Sequence, residues 1–257
     1  MTIPAAILAL LTLAGLCVGS FLNVCIYRLP RGISIAWPPS HCPQCTRPIA
    51  WYHNVPVLAW LWLRGRCARC REPIPMMYPL VEASTGAAFL VTALATGWDP
   101  LLLPRLLLTA SLIALFVIDL QHQLLPNVIT LPGIIVGLAF AAFLPPGLGS
   151  SLLGVLLGGA VPYAIAWGYL RLRGAEGLGM GDVKMLAMVG AFLGWPLMLV
   201  TLLVGSIAGA VVGLSLMGAG KGSMSLKLPF GTFLAAAAWM AMLWGQPLVN
   251  WYAGLLR

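Results

Sequence analysis

Apolar runs recur along this chain at lengths that water does not accommodate. Runs of about 18 or more apolar residues mark membrane helices, and several are separated here by short polar breaks. The chain is 61% hydrophobic and 8% charged, where a soluble domain carries about 25% charged residues. These runs predict an all-α polytopic membrane protein with about eight transmembrane helices, near 3–25, 78–98, 102–119, 128–144, 150–170, 183–194, 197–217 and 231–254. The stretch 183–217 sets the count. As one helix it would be about 52 Å long, against a hydrocarbon core of roughly 30 Å, and Gly194 with Pro196 predicts a break inside it. The start, Met1-Thr-Ile-Pro, has no basic n-region, so the first segment is expected to remain in the membrane.

The net charge of +8 first suggests nucleic acid, but the basic residues do not form one patch. They occupy loops between apolar runs, where the positive-inside rule puts them, so no nucleic-acid partner is expected and lipid is. Loop 28–77 holds seven of the 14 basic residues: Arg28, Arg31, Arg47, Arg64, Arg66, Arg69 and Arg71. That predicts a cytoplasmic loop and an N-terminus outside. With eight spans, Arg171, Arg173, Lys184, Lys221 and Lys227 join the inner side, leaving Arg105 and Arg257 outside. The expected organisation is a first transmembrane helix (1–27), a cytoplasmic cysteine loop (28–77) and a membrane core (78–257).

Four of the six cysteines form two close pairs in that loop, Cys42-x2-Cys45 and Cys67-x2-Cys70, 21 residues apart. Two such knuckles supply four thiolates to one tetrahedral zinc, which would staple a segment too polar to bury a core. A small zinc-ribbon-like loop is therefore expected, structural rather than catalytic. Disulfides are disfavoured on a reducing side. Cys17 and Cys25 read as small packing residues, and His41 and His53 as polar loop residues. Trp51, Tyr52, Trp60 and Trp62 suit the membrane interface.

The six acidic residues are Glu72, Glu82, Asp99, Asp119, Glu176 and Asp182. A carboxylate in a membrane segment costs about 2.5–3.5 kcal/mol on insertion scales, so it persists where it is paired or functional. Asp119 ends the apolar run 112–118, and Asp182 lies in Gly179-Met-Gly-Asp-Val-Lys184. The topology puts both at the cytoplasmic face, although neither entered the orientation argument. Two carboxylates sharing a poorly solvated site share a proton and divide into a base and an acid. That division suits water attack on a peptide carbonyl. Gly179 and Gly181 would allow close backbone approach and an unusual turn, with Lys184 as a nearby support. On physics alone the alternative is a proton- or ion-coupled transporter using the same aspartates, although no inverted repeat is visible.

The motifs in order carry a resemblance. Gly19-Ser-Phe-Leu-Asn-Val-Cys-Ile-Tyr-Arg-Leu-Pro30, His41-Cys-Pro-Gln-Cys45, Cys67-Ala-Arg-Cys70, Tyr78-Pro-Leu-Val-Glu82, Ile118-Asp-Leu-Gln-His-Gln-Leu-Leu-Pro126, Gly179-Met-Gly-Asp-Val-Lys184 and Pro229-Phe-Gly231 resemble the type IV prepilin peptidases. These are membrane aspartyl proteases of the Gly-x-Gly-Asp type. The resemblance implies an inner-membrane endopeptidase with Asp119 and Asp182 as its catalytic pair. Its substrates would be type IV pilin-like precursors of a pilus, a type II secretion pseudopilus or a DNA-uptake fibre, cut after a glycine that follows a short basic leader. It also implies N-methylation of the new terminus by S-adenosylmethionine, since relatives with the four-cysteine loop are bifunctional. Gly65 and Arg66 lie where methyl transfer is sensitive in the family, and Gly65 is equally a turn glycine. Glu82 is a second candidate, equally a carboxylate favoured at a helix start. Two positions depart from the family pattern: Asn127, where Asp is common, and Thr232, where Pro is usual. Neither is expected to touch the two aspartates.

Overall fold

A computed structural model describes residues 3–174, 179–219 and 228–255. Glu176, Lys221, Lys227 and Arg257 lie outside the described residues. The chain divides into two compact units, Met1–Leu102 and Leu103–Arg257. No extended strand occurs among the described residues, only two isolated bridges in the cysteine loop.

The first unit is a helical hairpin carrying a long loop. α1 (Ala5–Arg28) packs on α3 (Met77–Thr96). Gly15 and Gly19, four apart, face the partner helix. A Cβ at Gly15 would sit 2.9 Å from Gly86 Cα, and one at Gly19 would sit 2.7 Å from Glu82 Cα. Small residues at this spacing let membrane helices approach closely when lipid offers no hydrophobic drive to associate. Asn23 Nδ2 adds a 3.0 Å hydrogen bond to the Tyr78 carbonyl. The loop between them contains the short α2 (Leu58–Trp62). Its start is pinned by buried Arg28, whose guanidinium donates to the carbonyls of Ser34 (2.9 Å) and Pro38 (2.7 Å).

The second unit is a bundle of α4 (Leu102–His122), α5 (Asn127–Ala141), α6 (Leu148–Arg173), α7 (Met180–Gly218) and α8 (Phe230–Leu255). Leu108, Leu112, Leu115, Met185, Met188, Met198 and Leu234 form its core. α6 and α7 cross closely at Gly154 and Gly158: a Cβ at Gly154 would lie 2.5 Å from the Gly190 carbonyl oxygen.

α7 runs 39 residues as one hydrogen-bonded segment, but its backbone leaves helical geometry at Gly194 (φ 75, ψ 171), two residues before Pro196. That is the break expected from helix length. With α7 parted there, the eight apolar segments of the sequence reading correspond to α1, α3, α4, α5, α6, both halves of α7, and α8. Among the described residues, six helices are long and apolar enough to cross a membrane, with α7 counted once, and α5 is a shorter apolar helix. The protein is a multi-pass membrane protein.

Candidate active site and candidate metal centre

Asp119 lies in the last turn of α4 and is 5% exposed; Asp182 lies in the first turn of α7 and is 8% exposed. The two carboxylates are close enough to interact electrostatically. Each meets a helix N-terminus. Asp182 occupies the third position of α7, and its own N–H bonds the Gly179 carbonyl at 3.1 Å. Asp119 reaches α8, where Oδ2 accepts the Thr232 backbone N–H at 2.7 Å and the Thr232 hydroxyl at 3.1 Å. The first N–H groups of a helix have no partner inside it, and the positive end of the helix dipole favours an acceptor there. Asp119 thus caps α8 across 113 residues of sequence.

The expectation that Thr232 does not touch the aspartates is corrected: it donates twice to one of them. A proline at this position would offer neither donor. The other departure, Asn127, accepts a 2.9 Å hydrogen bond from Lys184 Nζ through Oδ1. Lys184 is therefore tied to the start of α5.

The glycines around the pair are explained by space. A Cβ at Gly181 would come 2.9 Å from Leu125 Cβ. One at Gly231 would come 2.9 Å from Leu125 Cδ1 and 3.0 Å from Asp119 Oδ2. Buried Leu125 is thus wedged against both glycines, so the turn after α4 locks to the starts of α7 and α8. At Gly179 a Cβ would stand 3.2 Å from Asp182 Oδ2. The unusual turn expected there is absent: Gly179 has ordinary extended backbone, φ −72 and ψ 141. The nearby carboxylate, rather than the backbone angle, disfavours a side chain.

In the first unit, the sulfurs of Cys42, Cys45, Cys67 and Cys70 all lie within 4.8 Å of one another, and the four cysteines are free thiols. Cys42 and Cys70 Sγ are 3.7 Å apart. A tetrahedron with Zn–S of about 2.3 Å has edges of about 3.8 Å, so the cluster has the dimensions to hold one metal ion. The backbone N–H groups of Arg69 and then Cys70 draw the Cys67 thiol down to about 6, while, against the Glu72 N–H, burial and the neighbouring sulfurs push Cys70 up to about 12.

The two knuckles repeat one another at an offset of 25 residues. Cys42 N–H bonds Arg47 O, and Cys67 N–H bonds Glu72 O. His41 bridges Pro48, and Arg66 bridges Pro73. Ile49 N–H meets Ser40 O, and Ile74 N–H meets Gly65 O. The shared Cys-x2-Cys-x2-Pro-Ile pattern was the available signal in the sequence, which the pairwise reading of cysteines missed.

The methyl-transfer candidates occupy positions around this loop. Gly65 has φ +66, and a Cβ there would lie 2.7 Å from the Trp60 ring. It is a turn glycine beneath an indole whose Nε1–H bonds the Ile74 carbonyl at 3.1 Å. Arg66 is exposed. Glu82 is buried, and its Oε2 accepts the Val57 N–H at 2.7 Å. Val57 has φ 61, a costly conformation for a β-branched residue, so the carboxylate fixes a strained corner of the loop. Beside α1 lies a cavity of about 420 Å³ whose walls include Ser20, Val24, Arg28, Ser40 and Asn54.

Comparison with known proteins places the chain in a family. The family described as Bacterial Peptidase A24 N-terminal domain matches residues 13–96, and the Type IV leader peptidase family matches residues 106–214. A protein of Aeromonas hydrophila named prepilin leader peptidase/N-methyltransferase is 39% identical over 279 residues, covering 97% of this chain and 95% of that one.

The chain belongs to the type IV leader peptidase family.

A protein of the same name from Pseudomonas putida is 39% identical over 270 residues, covering 95% of this chain and 93% of that one. One from Myxococcus xanthus is 44% identical over 207 residues, covering 78% and 60%. No solved structure matches. Membership in this family leaves the transporter alternative without support.

Proposed function

We propose that this chain is a bifunctional membrane enzyme. It cleaves type IV prepilin-like precursors with Asp119 and Asp182, and it N-methylates the new terminus. The observation that carries the peptidase reading is the pairing of two buried carboxylates at the starts of α7 and α8, within electrostatic reach. One carboxylate, ionised, takes a proton from water as the water oxygen attacks the scissile carbonyl carbon. Its partner, protonated, gives its proton to the departing amine. The pair then returns to one shared proton. In the proposed topology the enzyme sits in a bacterial inner membrane with its N-terminus periplasmic and loop 28–77 cytoplasmic. The leader junction of the substrate is then presented where the aspartates lie.

Zinc is the metal proposed for the four cysteines, in a structural role that closes the loop. S-adenosylmethionine, the donor implied by the relatives' name, would when bound supply an electrophilic methyl group to the amine released by cleavage, its sulfonium leaving as a thioether and the amine giving up a proton. The 420 Å³ cavity is of small-molecule size. Arg28 in its wall offers a cation for a ligand carboxylate, and Ser20 and Asn54 offer polar contacts. Gly65, Arg66 and Glu82 support this function by shaping the loop.

The test uses the purified full-length protein and a prepilin substrate. Asp119→Asn and Asp182→Asn are each expected to lower kcat at least about a thousandfold, with yield and zinc content unchanged. Cleavage retained by either variant would remove that aspartate from the mechanism. Equilibrium dialysis of labelled S-adenosylmethionine tests the second activity, and no measurable binding would reduce the proposal to a peptidase alone.

A further inference from the structure

The two Thr232 donors end on the same carboxylate oxygen: N–H at 2.7 Å and Oγ1 at 3.1 Å from Asp119 Oδ2. A carboxylate oxygen offers two lone-pair directions, and Thr232 directs two donors to this one, with the Gly231 backbone N–H also turned to the carboxylate. The hydroxyl has one competing acceptor, the Phe116 carbonyl, at the longer distance of 3.4 Å, so its hydrogen favours Oδ2. All of this lies in a buried setting, with Thr232 6% exposed. The neighbouring position is tight as well, since a Cβ at Gly231 would stand 3.0 Å from the same oxygen.

We propose that Thr232 is a positioning residue that divides the labour of the two Asp119 oxygens, holding Oδ2 as a fixed anchor and leaving Oδ1 to exchange the proton with water. The inference rests on the reading of Asp119 as one of the catalytic pair. With Oδ2 saturated, the carboxylate plane no longer rotates about its Cβ–Cγ bond, and the reactive oxygen stays aimed in one direction through the cycle. The proton leaves a water O–H bond for Oδ1, while the hydrogens on Thr232 stay on nitrogen and oxygen throughout. Rotational disorder of a catalytic carboxylate lowers the fraction of time it spends in reactive geometry. Losing the hydroxyl therefore acts on kcat, since a substrate need not touch Thr232 to bind.

The experiment measures kcat and KM separately for prepilin cleavage by full-length Thr232→Val, Thr232→Ala and Thr232→Ser, with Asp119→Asn alongside. Val preserves shape and loses the hydroxyl; Ala gives the same information if Val does not accumulate. Both are expected to lower kcat about tenfold, the scale of one hydrogen bond to a charged group, with KM within about twofold. Ser restores the hydroxyl and is expected to return kcat to within about twofold of the parent. Val and Ala at parental kcat, a change confined to KM, or a Ser variant as slow as Val would each overturn the role of Thr232. If Asp119→Asn is inactive in that case, the aspartate reading survives. An active Asp119→Asn would overturn both.

Discussion

The two units of this chain solve the same problem, holding polar groups in an apolar molecule, by different means. In Met1–Leu102 the polar segment is a long loop with almost no core. It is fastened at points: Arg28 on two carbonyls, Glu82 on the Val57 N–H, and four sulfurs within 4.8 Å of one another. In Leu103–Arg257 the polar groups are two carboxylates set into a packed bundle, and helix ends do the fastening. A loop without a core depends on discrete cross-links, each of which can be cut singly. A site built on helix termini depends on how closely the termini are packed, so small residues matter there more than ligands do.

The largest test of that contrast is removal of the cross-link. Cys42→Ser combined with Cys67→Ser takes one sulfur from each knuckle. Bound zinc is expected to fall from about one per chain to near zero, and protease nicking within 29–76 to rise at least about tenfold. Methyl transfer is expected to fall at least about tenfold, while leader cleavage stays within about threefold. Elemental analysis, peptide mapping and mass spectrometry of the processed substrate read these outcomes. Cleavage lost in parallel with methylation would break the division between the units.

A matched pair of glycine substitutions sharpens the comparison at the next level. Gly15→Ala puts a Cβ 2.9 Å from Gly86 Cα in the first unit, and Gly231→Ala puts one 3.0 Å from Asp119 Oδ2 in the second. The first is overpacking between two helix backbones and is expected to destabilise by about 1–3 kcal/mol, with kcat per folded molecule unchanged. The second displaces a proposed catalytic carboxylate and is expected to lower kcat about tenfold, with a smaller loss of thermal stability. Equal loss of kcat in both variants would show that the bundle site senses α1–α3 packing and would end the contrast.

The difference between the units also governs what could be read from sequence. The apolar segments, the break at Gly194 and the paired Cys-x2-Cys knuckles are local patterns: run length, one residue without a Cβ before a proline, fixed spacing. Each is written within a few residues, and each appears in the structure as expected. Thr232 could not be read that way. Its partner is 113 residues distant, and sequence does not say which helix start will face which carboxylate. The available clue was physical, because the N–H groups opening α8 after Pro229 needed acceptors. Asking which buried carboxylate would supply them narrows the choice to a few acids, and only the structure selects Asp119 among them. Lys184 shows that nearness in sequence does not name a hydrogen-bond partner. Two residues from Asp182 in sequence, it hydrogen-bonds Asn127 instead.

That last contact yields the smallest effect and the finest test. Lys184 Nζ lies 2.9 Å from Asn127 Oδ1 at an exposed position, and Asn127 opens α5. Asn127→Asp converts the contact into an ion pair and places a negative charge at a helix N-terminus. An exposed pair contributes about 0–1 kcal/mol, and a first-turn acid about 0.3–1 kcal/mol. Together they predict a rise in Tm of about 1–8 °C, given the scale for a unit of this size, and the rise should shrink in high salt as the charges are screened. Because the new charge is held by Lys184 at the start of α5, kcat for leader cleavage should change by less than about twofold. A larger change would show that Lys184 acts on the aspartate pair through its charge, and the fastening of the second unit would then include an ionic cross-link of the kind that marks the first.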